Sequence, residues 1–290
     1  MSPGRTAVIC DSTCYLPDAL IEAHEVEQVS LYVSLAGNQQ PEMEITDYAG
    51  FFERLRTSDE GATTSQPSVG DFLAAYRPHV EAGREIVSIH LSAGISGTFE
   101  SASQARQQLV DEGADPASIE IFDSRSACGG MAMAILGAVK AAAAGAGAAD
   151  VLAATEGTRN DLQMWFAIDT LEYLRKGGRI GAARAWVGSA LQIKPILTLE
   201  EEITPVERVR TRRRVFERLV QYARELRDSG RDGWVVQHIQ DPGNAERLVA
   251  EAREIFGSDP VFVSEVGPVI GAHTGPGLLG IGGVHRDRLP

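Results

Sequence analysis

Residues 84–102 read REIVSIHLSAGISGTFESA. The first nine form a short apolar run rich in β-branched residues and read as a strand over 84–92. The chain then turns through two glycines, and a helix is expected over 98–112. That order recurs through the first half. Strands are expected over 6–12, 29–35, 84–92 and 118–124, and helices over 15–24, 47–57, 71–82, 98–112 and 128–145. Ser68 and Asp71 have the spacing of a capping box at the start of the third helix. Strand followed by helix, repeated, implies a mostly parallel sheet with helices on both faces. In such sheets ligands sit where the loops gather, at the carboxyl ends of the strands.

Beyond about residue 160 the pattern changes. Strands read over 163–169, 194–200, 202–210, 233–240 and 261–266, with helices over 213–229 and 243–257. The second and third of these strands are too close for a crossover helix, so a hairpin with antiparallel pairing is expected. The reading is an α/β protein of two domains, 1–160 and 161–290, the second α+β with a mixed sheet and a ligand cleft between them. The longest apolar run, CGGMAMAILGAVKAAAAGAGAA from Cys128, contains Lys140 and is mostly alanine and glycine. It reads as a buried helix rather than a membrane span.

The net charge of −13 over 290 residues argues against binding nucleic acid, and against more than transient contact with an anionic membrane. The opening MSPGRTAVICDST has no apolar core of a secretory leader, so a cytoplasmic protein is expected. Cys10, Cys14 and Cys128 are odd in number and at no metal-ligand spacing, which predicts reduced thiols and no metal. Lysine occurs three times among 27 basic residues, so arginine is this chain's default cation and no single one stands out.

Three polar stretches could carry chemistry. TTSQPS (63–68) offers hydroxyls that equally suit caps and turns. LSAGISGT (91–98) enters a helix whose first amides suit an anion, or is a plain strand-to-helix turn. GPVIGAHTGPGLLGIGG (267–283) places seven glycines around His273, freedom expected where something approaches the backbone closely. Ser96, an acid and then His273 would suit a serine hydrolase acting on an apolar ester, although GISGT lacks the full G-x-S-x-G elbow. No phosphate-binding loop or dinucleotide fingerprint occurs. ERVRTRRR (207–214), read as a strand, puts Arg208, Arg210 and Arg212 on one face, for an anionic group or for solvent. TLEYLRKGGRIG (170–181) groups Arg175, Lys176 and Arg179 at a Gly-Gly helix stop.

Taken in order, DST (11–13), TSQPS (64–68), LSAGISGT (91–98), DS (123–124), TLEYLRKGGRI (170–180), KPIL (194–197), VRT (209–211) and GPVIGAHTGPG (267–277) resemble the DegV family across nearly the whole chain. The resemblance implies one long-chain fatty acid held between two α/β domains, with no cofactor. It also implies a partner, the catalytic subunit of a fatty acid kinase, which phosphorylates the presented carboxylate. Carried over residue by residue, the carboxylate would be held by Thr64 with Ser65 beside it, by Ser96 and by His273, with Gly97 and Thr274 flanking them. Arg175 and Arg210 would place the head group or dock the kinase. Two positions depart from the family pattern: the turn after KPIL reads LEEEI where glycine is usual, and Ala93 stands in the SGLSGT-like loop.

Overall fold

The computed structural model describes residues 5–58, 60–186 and 193–290, so the first four residues of the stretch read for a leader lie outside it. In the first half, strands β1 (Thr6–Asp11), β2 (Glu27–Val29), β3 (Tyr32–Leu35), β4 (Asn38–Pro41), β5 (Ala62–Ser65), β6 (Glu85–His90) and β7 (Ile119–Asp123) build two sheets. One is parallel throughout, in the order β2-β1-β6-β7, and the other is a small antiparallel sheet, β4-β3-β5. Helix α1 (Asp18–Ala23) follows β1, and α2 (Tyr48–Thr57) lies between β4 and β5. Helices α3 (Val69–Glu81) and α4 (Thr98–Asp111) cover one face of the parallel sheet, while α5 (Cys128–Ala143) and α6 (Ala148–Asp161) cover the other. All of β1 is buried: Ile9 packs with Phe72 and Tyr76 of α3, and its neighbours Val8 and Cys10 pack in the cluster that contains α5. A strand buried on both faces reads as a continuous apolar run, which is why TAVICD was legible. The capping box at Ser68 and Asp71 is formed.

Two expectations here are corrected. The single strand over 29–35 is broken, because Leu31 donates its N–H to Ser12 Oγ and its carbonyl accepts from Glu42. The chain therefore leaves the parallel sheet at Val29 and enters the antiparallel one at Tyr32. TTSQPS is also more than caps and turns: β5 takes its first hydroxyls into the small sheet, where Thr64 lies opposite Val33.

The second half forms a six-stranded mixed sheet from β8 (Gln163–Ala167), β9 (Lys194–Leu199), β10 (Ile203–Val209), β11 (Gly233–His238), β12 (Phe262–Glu265) and β13 (Leu279–Val284), ordered β10-β9-β8-β13-β11-β12. The β9–β10 hairpin is antiparallel, as expected, and only β11 and β12 pair in parallel. Among the helices α7 (Glu172–Lys176), α8 (Arg212–Asp228), α9 (Pro242–Phe256) and α10 (Pro268–Thr274), α8 and α9 cover one face, over Leu279, Ile281 and Val236. The arginine strip does not exist as a strand face. Strand β10 ends at Val209, Thr211 caps α8 by accepting from Arg214 N, and Arg212 already belongs to the helix.

Helix α5 joins the two halves. It packs on β1 and β6 of the parallel sheet and on β11 and β13 of the mixed one, and Gly129 to Val139 are buried without a break. A helix apolar all round has no face to offer water and must be covered on all sides. Its small residues permit the close approach. Gly137 lies so near α6 that a β-carbon would overlap Thr158 Oγ1. Gly137→Ala should therefore lower stability by roughly 1–3 kcal/mol through overpacking, rather than raise it by about 1 kcal/mol as in an exposed helix. Urea unfolding of the two proteins checks this, and a more stable variant would contradict the packing described.

Candidate functional site

A pocket lies between the two sheets at the carboxyl end of the parallel one, with about 1010 Å³ of unfilled space counting its open mouth. Its walls are apolar: Leu31, Leu91 and Ile95 from the first half, Phe166, Leu174, Leu199 and Ile203 from the second, with Val269 and Ile270 of α10. Polar atoms gather at the end formed by β5, the turn before α4, the segment after α7 and the last turn of α10. There Thr64, Ser65, Gln66, Ser96, Arg179, His273 and Thr274 line the cavity, while Ser126, Cys128 and Gln237 line it near the start of α5.

Thr64 and His273 are joined directly, Oγ1 to Nε2 at 2.8 Å, across 209 residues of sequence. Burial lowers the His273 pKa from 6.5 to about 4, with the nearby Arg179 guanidinium adding to the effect, so the ring is neutral at physiological pH. Its Nδ1 is buried with no hydrogen-bond partner among the described residues, and it lies against Gly177, where a β-carbon would overlap it. That contact explains the Gly-Gly after α7 more fully than a helix stop does. Arg179 donates to the carbonyls of Ile95 and Gly177, at 3.2 and 2.8 Å, which ties the segment after α7 to the turn before α4. Ser96 Oγ lies 2.9 Å from Thr98 Oγ1, and Gly97 lets the start of α4 close on Gln66, which a β-carbon would approach to 2.6 Å. Ser65 Oγ accepts from Gln39, and the Thr274 hydroxyl is turned back onto the Ile270 carbonyl.

The glycine-rich stretch is not a loose loop. Residues 268–274 form α10, and the left-handed backbone of Gly275 (φ 74°) and Gly277 (φ 91°) turns the chain from it into β13. The helix is held from its other end by residues that the sequence reading missed. Glu42 Oε1 accepts from Val269 N at 2.8 Å and from the Tyr15 hydroxyl at 2.7 Å, while Oε2 accepts from Ser12. Burial raises the Glu42 pKa against these hydrogen bonds, which lower it. Ser12 stands in the DST string, but nothing in PEMEIT marks Glu42 as buried. Gly271 faces the Phe52 ring, which a β-carbon would overlap.

Of the remaining sequence candidates, Arg175 is exposed and paired with Glu172, and Arg210 is exposed beyond the end of β10. Neither lines the pocket, whereas Arg179 does. The hydrogen bond from Ser96 to His273 that a serine nucleophile requires is not formed, because Thr98 and Thr64 are their partners. A serine, histidine and aspartate do meet elsewhere. Ser88 Oγ lies 2.8 Å from His90 Nε2, and His90 Nδ1 lies 3.3 Å from Asp11 Oδ2, but all three are fully buried beneath Phe72 and Tyr76. That network joins β1 to β6 and is closed to substrate. Among the described residues no cluster of His, Cys, Asp or Glu could hold a metal, and the three cysteines are free thiols.

A sequence model described as "Uncharacterised protein, DegV family" matches residues 5–286. The chain belongs to the DegV family. A DegV domain-containing protein of Streptomyces coelicolor is 37% identical over 283 residues, 96% of this chain and 97% of that one. The solved structure described as fatty acid binding of a DegV family protein from Thermus thermophilus is 33% identical, with a TM-score of 0.84 over 97% of this chain and 99% of the other. DegV of Bacillus subtilis, described as a fatty acid binding protein, is 31% identical, with a TM-score of 0.86 over 98% and 100%. The parallel and the mixed sheet thus belong to a DegV fold.

The His273 ring makes a prediction in the ligand-free protein. Its folded pKa is about 4 and its unfolded value 6.5, so the unfolded chain takes up the proton first. The stability this neutral ring confers is complete above pH 6.5 and is lost as the pH falls towards 4. The stability difference between wild type and His273→Gln should shrink by up to about 3 kcal/mol between neutral pH and pH 4. Urea unfolding over that range measures it; a difference independent of pH would mean that the ring is solvated.

Proposed function

We propose that this protein binds one long-chain fatty acid between two lobes, 1–160 and 161–290, and presents its carboxylate to a separate ATP-dependent fatty acid kinase. The observation that carries this reading is a continuous apolar pocket closed at one end by hydroxyls and a neutral imidazole. The description of the Thermus and Bacillus relatives as fatty acid binding supports it.

The chemistry divides between the two ends. Burying about fifteen methylenes at roughly 0.8 kcal/mol each contributes a gross term near 12 kcal/mol, so the acyl chain supplies the affinity. The carboxylate is expensive to bury unless paired. Thr64, Ser65 and Ser96 offer hydroxyls, Thr274 lines the same end with Gly97 following Ser96 in the chain, and Arg179 provides positive charge. With the hydrogen on Nε2, His273 donates to Thr64 Oγ1 and leaves the threonine hydroxyl free to donate to a carboxylate oxygen. Because the ring is neutral, it orients that hydroxyl without forming an ion pair that would trap the head group.

Phosphoryl transfer is assigned to the partner because the sequence has no phosphate-binding loop. Arg175, exposed beside its partner Glu172, and the exposed Arg210 would then dock that kinase, and no cofactor is required. A cytoplasmic site of action fits this role. No described helix is long and apolar enough to cross a membrane; contact with a bilayer is proposed to be transient at most, as the net charge of −13 suggests.

Purified from a bacterial host without added lipid, the protein should carry about one long-chain fatty acid per chain, read by native mass spectrometry and again in an organic extract. Ser96→Ala and His273→Ala should fold normally and lose most acyl phosphate formation with the kinase subunit. An empty protein that takes up no added hexadecanoic acid at micromolar concentration would overturn the lipid assignment, and unchanged coupled turnover in both variants would overturn the head-group assignment.

A further inference from the structure

We infer that Met164, with Leu199 beside it, is the partition that ends the acyl pocket and sets the chain length the protein accepts. The inference rests on the fatty acid reading above and adds a determinant of specificity to it.

The direction of the pocket follows from β8. Met164 and Phe166, two residues apart on the strand, both line the pocket and therefore share a face. From Phe166 the chain runs through Ala167 to α7 and to Gly177, which lies against His273. Met164 is thus the deeper of the two, roughly 7 Å further from the polar end at the usual rise of a strand.

A different environment begins on its other side. A second cavity shares Met164 and Leu199 with the acyl pocket, but is lined by Arg125, Arg159, Glu200 and Glu225. These two side chains therefore separate a mostly apolar space, in which the Gln237 amide beside Met164 is already bonded to Gly129 N and Ser264, from a charged one. Met164 is enclosed by glycines: a β-carbon on Gly129 of α5 would come within 2.7 Å of its methyl group, and one on Gly282 of β13, its cross-strand neighbour, within 2.7 Å of its β-carbon. Its carbonyl accepts from the Thr198 hydroxyl at 2.9 Å, so the backbone is held while the unbranched side chain can repack.

The selection is physical. Each methylene buried against apolar walls multiplies affinity by about fourfold. A methylene pushed past Met164 meets arginines and glutamates and gains nothing comparable. The preferred acid is the one whose last carbon reaches this partition.

The test presents wild type, Met164→Ala and Met164→Phe with an equimolar mixture of dodecanoic, hexadecanoic and eicosanoic acids and reads the bound acids by mass spectrometry. Met164→Ala should raise the ratio of eicosanoic to hexadecanoic acid by about tenfold, and Met164→Phe should move the preference towards dodecanoic acid. Leu199→Ala, from the same wall, should shift in the direction of Met164→Ala, which decides the matter if the phenylalanine variant does not fold. Wild-type length profiles in folded Met164→Ala and Leu199→Ala would overturn the partition. A wild type that binds none of the three acids would instead overturn the fatty acid reading, and this inference with it.

Discussion

Helix α5 has almost no polar surface, and the rest of the molecule is arranged around the need to cover it. The parallel sheet lies on one side and the mixed sheet on the other, so α5 is a shared core rather than the property of either half. One hydrophobic cluster consequently runs from Val8 in β1 to Val284 in β13. Close approach of two sheets to one helix demands small residues, and its glycines meet neighbours that leave no space for a β-carbon. Where α5 begins, its covering is incomplete. Ala127, Cys128 and Met164 there border the pocket, so the cavity opens where the two sheets stop meeting over the helix.

The polar end depends on a second constraint, the placing of one short helix. Seven residues of α10 cannot hold themselves in place. Their first amides are taken by Glu42 and by the Tyr15 hydroxyl, and their middle is pinned by Phe52 against Gly271. The turn that follows lies against a charged clamp. Arg212 bridges Asp169 and Asp241, Lys194 adds a contact to Asp169 at 2.9 Å, and a β-carbon on Gly277 would come within 2.6 Å of both Arg212 and Asp169. His273 therefore reaches Thr64 because groups from seven separate places in the chain agree on its position. The glycines around it serve that packing and the turn into β13; freedom of motion is not what they provide.

Some features were hidden in the sequence for definite reasons. Helix α6 buries Ala148, Val151, Thr155, Thr158 and Arg159, a helical spacing, but three of the five are polar, so no apolar period marks it. The two threonine hydroxyls are satisfied by carbonyls four residues back, which is what permits their burial. Strand β13 reads LGIGGV, and half of its positions are glycine: Phe166 and Met164 on β8 fill the space beside Gly280 and Gly282, and the carbonyls of Arg231 and Gly233 crowd Gly283. The arginine strip was misread because Thr211 resembles a strand residue but acts as a helix cap.

What the sequence determined by itself was the local grammar: alternating apolar strands and capped helices in the first half, a hairpin where two strands lie too close for a crossover, and an ordered set of strings that carries the family. It also held Thr64, Ser96 and His273 as candidates, since hydroxyls and a histidine beside glycines are visible without coordinates. Only the tertiary structure decided which of these meet, that Arg179 rather than Arg175 faces the cavity, that Glu42 is buried, and that Met164 stands between an apolar space and a charged one. The physical reason is range. Propensity, capping and periodicity act over a few neighbouring residues, whereas desolvation of His273, the bond from Thr64 across 209 residues and the lining of a cavity depend on which distant surfaces come to face each other.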